Sequence, residues 1–228
     1  MKKLIKYAGI AALCVLFAKP VQAQDAQTQA DKEAAYVKTV TGRAAKITAS
    51  LGLNDESKAA KVTAIIAKQY QDLNNVYITR DAKLKEVKER YADNKQELPA
   101  ALKAVDVSVA EQLKPVHAQY ISNLSAYLTP EQVNKVKDGM TYNVLNVTYT
   151  AYNDMIPTLT QEQKSQIMTW LTEAREQSMD AESSEKKHAW FGKYKGRINN
   201  YLSAAGYDMK KEEAGWMERI KASKSNNK

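Results

Sequence analysis

Residues 185–202 carry the densest chemistry in the chain. They hold Lys186, Lys187, Lys193, Lys195 and Arg197 against the single acid Glu185. Written as a helix, Trp190, Tyr194, Arg197 and Tyr201 recur at three- and four-residue steps and share one face. Flat rings of this kind stack on a sugar or a base, and a guanidinium forks onto a carboxylate or phosphate. Phe191, Ile198, Leu202 and Ala205 form the neighbouring row and read as core. His188 opens the segment and Asn200 adds an amide near its end. A second candidate segment precedes Pro157. Residues 142–149 are rich in Tyr, Val, Asn and Thr, the one strand-like stretch of the chain. An irregular backbone there would present Tyr149 and Tyr152 to the basic helix. The expected ligand site therefore combines Tyr149, Tyr152, His188, Trp190, Tyr194, Arg197, Asn200 and Tyr201, a set suited to a carbohydrate or an anionic ligand. The alternative is structural: the rings close the edge of the core while the lysines stay in water. Gly192 and Gly196, four apart, would admit a close-packed backbone under either reading.

Other site chemistries find little support. One cysteine excludes an intramolecular disulfide framework and a thiolate cluster. The two histidines, His117 and His188, have no second ligand at metal-binding spacing, so neither a metal nor a cofactor is expected. Asp106, Asp138, Asp154 and Asp208 are scattered, with no pair placed as a general acid and base. There is no phosphate-binding glycine loop, no nucleophile elbow and no His-Glu-x-x-His motif. No catalytic residue is assigned and nothing points positively to an enzyme.

The elements that must position these residues read as helices. Gly and Pro number only 8 and 5 among 228 residues. Apolar residues repeat at helical steps through residues 24–50. They do so again from Val62 to Tyr91, in a narrow stripe with Lys- and Glu-rich flanks. Pro99 opens a further helix at a favourable first-turn position, and its stripe runs from Leu102 to Tyr127. Pro115 inside it removes a donor and is expected to kink or split it. These two long elements pair most simply as a hairpin over residues 55–127. Helices follow at 130–138, with a break at Gly139, then near 149–156, 161–179, 184–205 and 210–221. The expected fold is all-α: a long helical hairpin with a smaller C-terminal helical bundle packed against it. Residues 24–222 form one domain, the C-terminal part covers 129–222, and 223–228 are a disordered tail.

The first 23 residues have the pattern of a secretory signal. A Lys-rich start precedes an uncharged apolar run at residues 7–18, and Val21-Gln22-Ala23 supplies small residues before a cut at Gln24. The apolar run is too short to span a bilayer, which takes about 20 residues. Removing residues 1–23 deletes four lysines and Cys14. The formal charge of +8 then falls to +4, from 30 basic and 26 acidic residues. That excess equals the charge of residues 185–202 alone. Export and a small net charge argue against a nucleic-acid partner. The expected location is the periplasm or exterior of a Gram-negative cell, with no stable membrane span after cleavage.

Leu128-Thr129-Pro130-Glu131-Gln132 recurs as Leu159-Thr160-Gln161-Glu162-Gln163, 31 positions on, with Leu53-Asn54-Asp55-Glu56-Ser57 as a degenerate third copy. Each reads as a helix start: Thr or Asn caps, Gln reaches back three residues later, and the preceding Leu staples. The motif resembles the Leu-Thr-x-x-Gln signature of the Spy/CpxP periplasmic proteins, small helical proteins that include an ATP-independent chaperone. Over nearly the whole mature length the chain resembles an uncharacterised secreted bacterial family, domain-of-unknown-function family 3826. The resemblance is carried by residues 74–81 (NNVYITRD), 128–138 (LTPEQVNKVKD) and 188–202 (HAWFGKYKGRINNYL). It implies secretion and a helical fold, and no established activity.

Two functions follow as expectations. The favoured one is a periplasmic binding or accessory protein; the alternative is a Spy-like chaperone holding unfolded protein clients. The export signal has a direct check: N-terminal sequencing of protein from the producing cell should begin near Gln24. Intact Met1 on the bulk of the protein would refute it.

Overall fold

A computed structural model describes residues 20–226; the apolar run of the signal lies outside the described residues. Among the described residues there are eight α-helices and no strand. They are α1 (Pro20–Ala49), α2 (Glu56–Arg90), α3 (Leu98–Ser125), α4 (Pro130–Met140), α5 (Val144–Met155), α6 (Gln161–Met179), α7 (Ser184–Ala204) and α8 (Met209–Asn226). The cleavage pair Ala23-Gln24 falls in the first turns of α1. The chain divides into residues 1–39 and residues 40–228. In the first unit, residues 30–35 of α1 are all exposed. The second unit holds the hairpin, the C-terminal helices and every site described below.

The hairpin is α2 and α3. At about 1.5 Å per residue, the 35 residues of α2 span about 52 Å. Val87, Val105 and Val109 fill the core of its turn half, packed by Leu84 and Leu102. At the other end, Val62, Ile66, Tyr120 and Leu124 join Ile47 of α1 and Val136 of α4 in a larger core. A third core belongs to the C-terminal helices: Leu145 and Tyr152 of α5, Ile167 and Leu171 of α6, Phe191 and Ile198 of α7. Met179, the last residue of α6, is buried in the second of these cores.

The repeated motif is a capping box at both sites. Thr129 Oγ1 accepts from Gln132 N at 3.3 Å while Gln132 Oε1 accepts from Thr129 N at 3.2 Å. Thr160 and Gln163 repeat this at 3.2 and 2.9 Å. Leu128 and Leu159 are buried beside them. The degenerate copy is shifted by one residue: Asp55, not Asn54, caps α2 by accepting from Lys58 N.

Four local expectations are corrected. Residues 142–149 are not strand-like or irregular. Leu145, Thr148 and Tyr152 recur at helical steps on the buried side of α5, and that packing overrides β propensity. The irregular backbone shrinks to the turn before α5, where Tyr142 and Asn143 both take φ of +57°. Gly139 does not break α4. A Cβ there would lie 3.0 Å from Ile47 Cγ1, so the glycine admits close packing of α1 on α4. Pro115 does not split α3: it and Glu111, whose carbonyl loses its donor, are exposed, so water can take the donor's place. The tail is helical through Asn226.

Gly192 and Gly196 have no close neighbour, contrary to the expected backbone approach: a Cβ on either meets nothing within 4 Å. Glycine in an exposed helix costs roughly 0.5–1 kcal/mol against alanine. Gly192→Ala and Gly196→Ala should each stabilise by about that amount in urea unfolding. A loss of stability would show a backbone requirement at these positions.

Candidate functional site

The C-terminal turn of α6 meets the middle of the hairpin in an open cleft of about 640 Å³. Tyr77 and Arg80 come from α2, and Asp106, Lys114 and His117 from α3. Glu176 and Asp180 come from the end of α6, Glu182 from the link, and Lys186 and Trp190 from α7.

His117 is the hub of the polar wall. Its Nδ1 lies 2.8 Å from Asp180 Oδ2 and its Nε2 lies 3.6 Å from Glu176 Oε2. The hydrogen bond to Asp180 raises its pKa above the ordinary 6.5, against the opposing effect of burial. Asp180 Oδ1 is buried without a hydrogen-bond partner, so the carboxylate depends on the imidazole. Glu176 is held by Lys137 at 2.8 Å and by the buried Arg175 at 3.4 Å. Arg175 also reaches Asp138 and Asn134, each at 2.8 Å. On the opposite wall the Tyr77 hydroxyl donates to the Asp180 carbonyl at 2.6 Å. Burial, then Glu182 and Asp180, pushes that phenol up to about 12, so it stays a donor. Arg80 pairs with Glu182 and stacks 4.7 Å over the Tyr77 ring.

Behind the cleft, Lys187 is buried and donates to the Ser178 and Met179 carbonyls at 3.0 and 2.8 Å. It satisfies acceptors that the end of α6 leaves open. Burial lowers its pKa to about 8.

The eight residues expected to form one site do not share one cleft. Trp190 lines the cleft, half-buried, with Lys193 Nζ 5.0 Å from its ring centroid. Tyr194 faces Glu173 of α6. Arg197 lies 4.4 Å over Trp170, and Tyr201 meets the same ring edge-on at 5.2 Å. His188 stacks on Tyr142 at 5.5 Å. Tyr149 packs at the margin of the C-terminal core, and Asn200 is exposed. Tyr152 is buried and bridges α5 to α7 by donating to Asn199 Oδ1 at 2.6 Å. Burial pushes that phenol up to about 12. Tyr152, Lys195 and Asn199 do line a smaller slot of about 380 Å³ against Met209 and Trp216 of α8. The segment containing Tyr152 and the basic helix therefore meet, but away from Trp190.

A model of the family described as "Protein of unknown function (DUF3826)" matches residues 37–222. The chain belongs to this family. No curated protein matches it. The matched span contains the whole cleft.

Sequence reasoning missed His117, Asp180, Glu176, Tyr77 and Arg80. One signal was present: Glu176 and Asp180 stand four apart on one helix face, a paired-acid spacing in reach of a single cation. Nothing local pointed to the partner 63 positions earlier. Among the described residues, no group of three or more His, Cys, Asp or Glu is placed to hold a metal ion. No described helix is long and apolar enough to cross a membrane.

The ion pair sets a pH dependence. The folded pKa of His117 lies above the unfolded one, so its stabilisation is full below about 6.5 and is lost as pH rises through the folded value. The melting temperature of the wild type should fall over that rise. His117→Gln should melt lower at pH 6 and show a flatter profile. Parallel profiles would remove the pair from the account.

Proposed function

We propose that this protein is a glycan-binding protein of the bacterial envelope and that the cleft at the end of α6 is its site. The observation that carries this reading is Trp190, half-buried on the wall of a polar cleft. A ring held in place by Lys193 on one side offers a flat face for a sugar. The polar groups around it are mixed: Arg80, Lys114 and Lys186 against Asp106, Glu176, Asp180 and Glu182. Hydroxyl groups both donate and accept, so such a wall suits a polyhydroxylated ligand better than a strong polyanion. The envelope location rests on the signal pattern of residues 1–23.

The chaperone reading calls for a broad exposed apolar surface. Among the described residues, the exposed large apolar ones are Ile78, Val107, Tyr127, Tyr142, Val147 and Met217, spread from α2 to α8. That distribution favours the binding protein. His117, Glu176, Asp180, Arg80 and Glu182 are held in ion pairs, which suits a fixed recognition wall.

Trp190→Ala tests the reading. A stacked ring contributes on the order of 1–3 kcal/mol, by analogy with base stacking, so oligosaccharide affinity should fall roughly 5- to 150-fold. The far-UV circular dichroism should be unchanged. Undiminished binding, or aggregation suppression for several unrelated clients by wild type and variant alike, would count against it.

A further inference from the structure

We propose that the binding surface does not end at the cleft but continues along α6 and α7 as a track for a linear polysaccharide, seating several consecutive sugar rings. This rests on the glycan reading of the cleft and adds to it the length and form of the ligand.

The two helices run antiparallel, as their contacts show in order. Ser178 bonds Lys187, Glu173 pairs with Arg197 at 3.5 Å, and Trp170 meets Tyr201. Later residues of α7 thus face earlier residues of α6. On this register Trp190 stands beside Gln177, and both line the cleft. Farther out come Tyr194 against Glu173, then Arg197 over Trp170, then Tyr201. From Trp190 to Tyr201 is 11 helical steps, about 16 Å of axis. All four side chains of the α7 row stay in contact with water: Tyr194 and Tyr201 are half-buried and the Arg197 side chain is 56 % exposed.

The chemistry of the row selects its occupant. Rings alternate with a fork and a carboxylate, so aromatic and hydrogen-bonding groups recur together along one line. Arg197 Cζ lies 4.4 Å from the Trp170 ring centroid and its side chain is 56 % exposed, so guanidinium N–H groups beyond the one facing Glu173 are accessible to a ligand. Its charge is offset by Glu173, so the track offers no uncompensated cation ladder for a nucleic acid. Nor is it an apolar groove for a helix. A chain of sugar rings, apolar on its faces and hydroxylated at its edges, matches the alternation.

The experiment is calorimetric titration of the full mature chain with two graded series, cello-oligosaccharides and xylo-oligosaccharides, from disaccharide to octasaccharide. For the series that binds, affinity should rise about tenfold between the shortest and the longest members. Arg197→Ala, at an exposed position, should remove that rise and leave the short members bound as before. Glu173→Ala should do the same, which guards against a local packing effect of one substitution. Trp190→Ala should weaken every length. Trp190-dependent binding with no dependence on length, or a length effect that survives Arg197→Ala and Glu173→Ala, would overturn the track and leave the cleft. No binding of either series would overturn both.

Discussion

The last turn of α6 is where the helices of residues 40–228 are tied together. Met179 enters the core at the base of the hairpin, while Leu171 and Ala174, earlier on the same helix, belong to the C-terminal core. Asp180, one residue on, takes the imidazole of α3 through its side chain and the Tyr77 hydroxyl of α2 through its carbonyl. Lys187 closes the remaining carbonyls from α7. Four helices thus converge on a few residues, and the contacts are polar and partly solvated. A buried apolar joint would have left no space there. A polar joint holds the hairpin and the C-terminal helices apart on one side, and the cleft is the resulting space.

That origin explains the composition of the site. The charges are present because the joint needs them: His117 for Asp180, Lys137 and Arg175 for Glu176, Arg80 for Glu182. Paired in this way, each carboxylate keeps a cation beside it, which avoids the cost of an isolated charge. Trp190 and Lys186 stand outside this ion-pair lattice. With Asp106 and Lys114 they make up the part of the charged and aromatic wall that the joint does not require.

Much of the fold was legible in the sequence because local rules and tertiary packing agree in the long helices. The Val62–Tyr91 stripe and the two Leu-Thr-x-x-Gln starts depend on neighbours three or four residues away, and the structure keeps them. Residues 142–149 misled because β-branched and aromatic residues there obey the helical burial of Leu145, Thr148 and Tyr152. Gly139 misled because its role is set by Ile47, far away in the chain. The site was legible only in part for the same reason. Trp190 stood out within a basic-aromatic helix, but the carboxylates that build its cleft belong to α6 and their imidazole to α3. Helical spacing groups the α7 row on one face, whereas its partner ring, Trp170, lies on another helix.

The most direct test of the cleft as a glycan site uses the three tryptophans as reporters. Trp190 lines the cleft, Trp170 lies on the track and Trp216 lines the slot against α8. Indole N–H resonances followed by two-dimensional NMR, during titration with the tightest-binding oligosaccharide of the two series, separate the three. The Trp190 indole should shift at the lowest ligand concentrations, while Trp216 stays in place. A titration that moves Trp216 alone, or none of the three, would contradict it.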